Sequence, residues 1–166
     1  MRVPAESALA LAAIAFFAQF AIAQPSKTNV PLVEKRVLSL EAARKMVAGA
    51  EAEAERNHWR GVVAVVDDGG WLIMLERMDH AAMTASVELA IGKARSAALF
   101  KKPTQDLEEA INHGRYAAIT ARGFVEMQGG LPVVIDGEVV GAIGASFATP
   151  QEDVRVARAG LAALGQ

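Results

Sequence analysis

Two carboxylates three residues apart, Glu76 and Asp79, bracket the end of an apolar run in this 166-residue chain. Hard oxygen donors at a strand end suit a divalent cation or iron, with water completing the shell. The plainer alternative is a solvated turn whose acids pair with Arg77 or with a neighbouring chain. Lys93 stands beside Gly92 in a stretch made mostly of small and apolar residues. A buried ammonium there could receive a propionate or a small carboxylic acid, or its stem could lead the charge to water. Arg95 is a second anion partner on the same stretch. His113, Arg115 and Tyr116 make the most chemically varied short run. Histidine and tyrosine are axial ligands of haem iron, and arginine pairs with carboxylates such as a haem propionate. His58 and His80 are weaker candidates. Met78 and Met83 suit an apolar pocket, a core or a subunit contact.

Several common machines are absent. There is no phosphate loop of the G-x-x-x-x-G-K-[ST] type and no Gly-x-Ser-x-Gly elbow. Gly137, Gly141 and Gly144 lie within a hairpin pattern rather than between a strand and a helix, so they are no dinucleotide fingerprint. The three histidines, 58, 80 and 113, make no local metal motif.

The elements that must position these groups are legible. Val133–Ile135 and Val139–Ile143 flank Asp136-Gly137, the strongest short-range hairpin signal, because both turn positions need positive φ. Glycines 129, 130, 141 and 144 around that hairpin imply that another backbone or a ligand comes close. Val62–Val66 leads through Asp67-Asp68-Gly69-Gly70 into Trp71–Leu75, a second hairpin of similar design. Ser39 is an N-cap for an amphipathic helix ending near Arg56, and a helix runs from Thr84 to Phe100 until Lys101-Lys102-Pro103 stops it. Gly92 in its middle costs about 1 kcal/mol against alanine, which points to close packing. Thr104 caps a short helix to Asn112, helical turns cover Tyr116 to Arg122, and Phe124–Met127 is a short edge strand. Thr149-Pro150-Gln151-Glu152 is a capping box that starts the last helix. The order α-β-β-α-α-(β)-β-β-α describes one α/β (α+β) domain with an antiparallel sheet.

The first residues read differently. Ala8 to Phe20 is apolar except for Gln19, and Ala21-Ile22-Ala23 is an A-x-A cleavage signal, so residues 1–23 are expected to be a signal peptide. The run is short for a bilayer span, so no stable membrane insertion is expected after cleavage. Residues 24–37, with Pro25 and Pro31, form a flexible lead-in, and the domain occupies 38–166. Cleavage removes Arg2 and Glu6 and leaves the net charge at −2. A slightly acidic chain argues against a nucleic-acid partner. An exported chain with no cysteine must be held by its core and by oligomerisation.

The segments 38–43 (Leu-Ser-Leu-Glu-Ala-Ala), 65–72 (Val-Val-Asp-Asp-Gly-Gly-Trp-Leu), 75–79 (Leu-Glu-Arg-Met-Asp), 91–100 (Ile-Gly-Lys-Ala-Arg-Ser-Ala-Ala-Leu-Phe), 129–133, 136–144 and 156–160 resemble, in the same order, the GlcG/HbpS family, also called the haem-binding or haem-degrading domain family. The resemblance implies a profilin-like layered domain, with a five-stranded antiparallel sheet flanked by helices. It implies homo-oligomers, often octamers. It also implies haem or iron as ligand in some members, with exported relatives in haem handling or redox sensing. Glu76 and Asp79 match the family's E-x-x-D, associated with iron, and Lys93 matches its G-K-A-R lysine. The chain departs at Ser146-Phe147, where the family has Ser-Gly; a phenylalanine there narrows or covers any pocket beside the hairpin.

The leading expectation is therefore a periplasmic or secreted haem- or iron-binding protein. One alternative is a cofactor-free isomerase, lyase or tautomerase for a small carboxylic acid, with Lys93 as anion site or base and Glu76 or Asp79 moving a proton. Another is a non-catalytic oligomeric interaction module. Fold alone does not choose among them.

Overall fold

Both Asp-Gly turns form as their residues require. Asp136 and Gly137 have φ of 49° and 83°, the left-handed pair that a two-residue hairpin link needs. In the other hairpin, Asp67 Oδ1 accepts hydrogen bonds from the amides of Gly69 at 2.9 Å and Trp71 at 2.8 Å, an aspartate-built turn. The computed structural model describes residues 30–165, and the domain considered below begins at Glu34. The expected signal peptide and residues 24–29 of the lead-in lie outside the described residues.

The elements are α1 (Leu40–Arg56), β1 (Val62–Asp67), β2 (Leu72–Arg77), α2 (Ser86–Phe100), α3 (Thr104–Asn112), a 3-10 turn (Tyr116–Thr120), β3 (Gly130–Ile135), β4 (Glu138–Ser146) and α4 (Pro150–Ala162). The strands form one sheet in the order β2-β1-β4-β3, antiparallel throughout. The sheet has four strands among the described residues, not five. The candidate edge strand at Phe124–Met127 is irregular. The Val125 amide donates to Ser96 Oγ on α2, and just beyond the segment the Gln128 amide donates to Glu108 Oε2 on α3, bonds to helices in place of a strand ladder.

Strand alternation sorts the core into two faces. Val63, Val65, Leu131, Val133, Ile143 and Ala145 pack with Met46, Val47 and Ala50 of α1 and Val156 and Ala157 of α4. Val66 and Ala142 meet Ala94, Ala97 and Ala98 of α2, and Val62 and Ala64 meet Ala90. The second face is made of small residues because α2 lies almost in contact with the sheet backbone. A Cβ on Gly144 would stand 2.6 Å from the Ala94 amide nitrogen and closer still to the Ala90 carbonyl. The strand glycines thus admit another backbone, not a ligand. Gly92 has the packing reason expected of it, since Val125 fills the space a Cβ would take.

Ser39 and Thr149 cap α1 and α4 through the amides of Ala42 and Glu152. Thr104 does not cap α3. Pro103 is the capping residue, and the buried Thr104 hydroxyl accepts the Gly130 N–H at 2.8 Å, fixing the start of β3. The last part of the lead-in is attached to both hairpin turns. Lys35 reaches Asp68 at 2.9 Å, Arg36 reaches Asp136 at 2.8 Å, and the Leu38 amide donates to the Val140 carbonyl. No helix among the described residues is long and apolar enough to cross a membrane.

Candidate functional site

Lys93 is buried, with 1% of its surface exposed. Its Nζ lies 2.6 Å from Asp153 Oδ2 and 3.2 Å from the Ala145 carbonyl oxygen. Asp153, in the first turn of α4, also accepts the Phe147 N–H through Oδ1 at 2.5 Å. The acid that Lys93 was expected to await is supplied by the chain itself. The pair joins α2 on one face of the sheet to α4 on the other. Burial pushes the Asp153 carboxyl up, against the opposing pull of the Lys93 ammonium and the Phe147 amide. Lys93 thus faces Asp153 and the Ala145 carbonyl within the fold rather than open space. The space a Cβ on Gly92 would take is filled by Val125, while Gly92 itself lines a shallow groove with Arg95 and Phe124. Phe147, the family departure, is 1% exposed and belongs to the core shared by α1 and α4, where its ring packs over Gly61.

Glu76 lies near the end of β2 and Asp79 just beyond it. Asp79 is exposed beyond the end of β2, and among the described residues no group of three His, Asp or Glu side chains is placed to hold a metal ion. Glu76 instead turns toward α1, where Glu51 and Glu55 sit one helical turn apart. Partial burial raises its carboxyl, and the hydrogen bond and negative charge of Glu51 raise it further. A carboxyl raised above its unfolded value favours the fold while protonated and loses that contribution as pH rises through the folded value. Glu76→Gln should therefore stabilise the domain at neutral pH and have little effect in acid; urea midpoints measured across that interval check the sign.

Arg115, alone of the varied run at 113–116, borders a cleft with apolar walls. This cleft lies between the end of α2, α3 and the 3-10 turn, and has a volume of about 400 Å³. Phe100, Leu107, Ala110 and Ala118 supply apolar surface, Lys102 and Arg115 supply positive charge, and Asp106 and Glu126 supply negative charge. Phe124 backs Phe100 edge-on at a centroid distance of 4.9 Å. Neither Lys102 nor Arg115 forms an ion pair among the described residues. Arg115 is held at the cleft by its own backbone, whose amide donates to Ala110 and whose carbonyl accepts from Ala118.

His113 and Tyr116 flank Arg115 but do not line the cleft. His113 is the exposed C-cap of α3, with Nδ1 2.7 Å from the Glu109 carbonyl oxygen, which can only accept the proton of that contact. Tyr116 is 67% exposed. His58 and His80 sit in loops with positive φ, far from this region in sequence. Sequence reasoning missed three residues. Lys102 read only as part of a helix stop, Asp153 carried no reading, and Glu126 fell within the candidate edge strand. Glu126 lines the cleft, and its Oε1 is buried without a hydrogen-bond partner.

An antiparallel sheet covered on both faces by helices, with a half-apolar cleft among the smaller helical elements, defines a profilin-like layered α+β domain. Residues 38–162 match the family described as haem degrading protein HbpS-like, and the chain belongs to that family. It is 43% identical to protein GlcG of Escherichia coli over 112 residues, which is 68% of this chain and 83% of GlcG. A double glutamate-to-aspartate mutant of HbpS from Streptomyces reticuli superposes with a TM-score of 0.76 at 30% identity, covering 98% of this chain and 100% of that one. The PduOC:heme complex superposes with a TM-score of 0.70 at 27% identity, covering 76% of this chain and 94% of PduOC.

Proposed function

We propose that this chain is an exported, oligomeric haem-binding protein that receives haem at the cleft between α2, α3 and the 3-10 turn. The observation that carries the reading is the cleft's make-up. A volume of about 400 Å³ with aromatic and aliphatic walls, and with two cations free of ion pairs among the described residues beside the acids Asp106 and Glu126, can take a flat apolar ring whose carboxylates sit at the cations. Lys102 and Arg115 would take the propionates as charge-assisted hydrogen bonds. Phe100, Leu107 and the alanines would cover the ring and keep water from it. Bound there, haem would supply a redox-active iron, consistent with haem handling or redox sensing. The family description and the haem-bound PduOC relative support the ligand class.

Export is supported by the leader pattern of residues 1–23. Assembly is supported by the large apolar side chains left exposed, Trp71 at 69% together with Leu72, Leu99 and Phe100. The decisive experiment is a haemin titration of the mature protein. A saturable shift of the Soret band at micromolar haem is expected, and Lys102→Ala and Arg115→Ala should each weaken binding about one-and-a-half- to fivefold, the range for solvent-screened ion pairs. Absence of a saturable shift would sink the reading. The full-length gene product, recovered from the periplasm or medium, should begin at Gln24 by intact mass; an unprocessed cytoplasmic product would reject export.

A further inference from the structure

The side chains at the cleft sort by what they offer a bound porphyrin. Phe100, Leu107 and Ala118 offer apolar surface, and Lys102 and Arg115 offer positive charge. No histidine, tyrosine, cysteine or methionine, the residues that serve as axial ligands of haem iron, stands among the described residues of the lining. Three oxygen-bearing side chains remain. Thr120 Oγ1 donates to the Ala117 carbonyl at 2.7 Å. Asp106 is exposed in the first turn of α3, where its charge favours the helix dipole. Glu126 Oε1 is occluded from the cleft rather than aimed into it, and its segment is fixed to α2 and α3 by the Val125 and Gln128 amides on Ser96 and Glu108. The features of a porphyrin that this lining meets are its apolar ring and its carboxylates, not its central metal.

We propose that the cleft recognises a porphyrin by its ring and its two carboxylates and not by its metal, so that its ligand class is tetrapyrrole dicarboxylates with or without iron. The proposal rests on the haem reading above and narrows it. Burial of a flat ring against Phe100 and Leu107 removes the same apolar area from water whatever the ring encloses. The bonds from Lys102 and Arg115 form at the edge of the ring, remote from its centre, and need only the carboxylates. An axial bond from the protein would favour the metal-loaded ligand alone, and no nitrogen or sulfur side-chain donor of that kind lines the cleft among the described residues. The exposed His113 and Tyr116 lie outside the lining and are not used.

The test compares haemin, metal-free protoporphyrin IX and protoporphyrin IX dimethyl ester in titrations of the mature protein, read by Soret absorbance and by porphyrin fluorescence. Haemin and protoporphyrin IX should compete for one site with dissociation constants within about threefold of each other. The dimethyl ester, which loses both charges, should bind about two- to twenty-fivefold more weakly, the product of two solvent-screened pairs. Lys102→Ala combined with Arg115→Ala should weaken haemin and protoporphyrin IX by the same factor and leave the ester unchanged. If haemin saturates the protein and protoporphyrin IX binds more than about tenfold more weakly, recognition runs through the metal and the proposal is overturned while the haem site stands. If the ester binds as tightly as the free acid, the role given to the carboxylates is overturned. If none of the three gives a saturable signal, the haem reading itself fails.

Discussion

Lys93→Met should lower the unfolding free energy by about 3–5 kcal/mol, because it strips the counter-charge from a carboxylate that stays buried. The corresponding fall in melting temperature is on the order of 10–20 °C. Asp153 is 5% exposed, and its second oxygen remains committed to the Phe147 amide, so the side chain cannot simply turn to water. Removing both charges is expected to hurt less than removing one. Lys93→Met combined with Asp153→Leu should recover much of the loss, since an apolar pair of similar volume leaves no buried charge behind. The pH dependence follows from burial, which already holds the Asp153 carboxyl above its ordinary value. Deleting Lys93 removes the main opposing influence and raises it further. A group raised in the folded state favours folding below its unfolded value and loses that contribution as pH rises through the folded one. The Lys93→Met deficit should therefore be smallest in acid and grow toward neutrality. Thermal unfolding of the single and double variants at both ends of that range is the measurement, and a pH-independent loss below about 1 kcal/mol would show that the pair does not latch the layers.

Gly144→Val should be the most damaging substitution in the sheet. Even the first carbon of a side chain would stand 2.6 Å from the Ala94 amide nitrogen, and both that atom and the Ala90 carbonyl are helix backbone that cannot rotate aside. The whole of α2 would have to lift from β4, taking Lys93 away from Asp153. Overpacking of an ordinary core costs about 1–3 kcal/mol, and a backbone-to-backbone clash belongs at or beyond the top of that range. Loss of soluble protein, or of the near-ultraviolet circular dichroism signal, is the expected readout. Gly137→Ala is the useful control. A Cβ there meets nothing within 4 Å, so its cost of about 1–2 kcal/mol comes only from holding φ at 83°. Equal effects of the two substitutions would contradict the close approach of α2.

The sequence by itself determined the parts whose physics is local. Asp136-Gly137 dictated its hairpin because positive φ is a property of two adjacent residues, and Ser39 and Thr149 announced α1 and α4 because a cap bonds an amide two or three residues away. The ordered motifs from 38 to 160 were enough for the family. Arg115 stood out in the sequence by its chemistry, and the fold places it at the lining of a cleft. Tertiary structure decided everything that depends on pairing distant segments. Lys93 and Asp153 are 60 positions apart, and no periodicity links them. Glu76 faces Glu51 and Glu55 only because α1 packs on the side of the sheet that Val63 and Val65 share. Phe124–Met127 carries a strand-like composition, yet the Val125 amide bonds to Ser96 and, just beyond, the Gln128 amide bonds to Glu108, in place of a strand ladder. Whether a glycine in β4 admits a ligand or a helix, and whether a glutamate finds a donor, are questions of what the fold brings within a few ångströms, and a linear pattern carries no such distances.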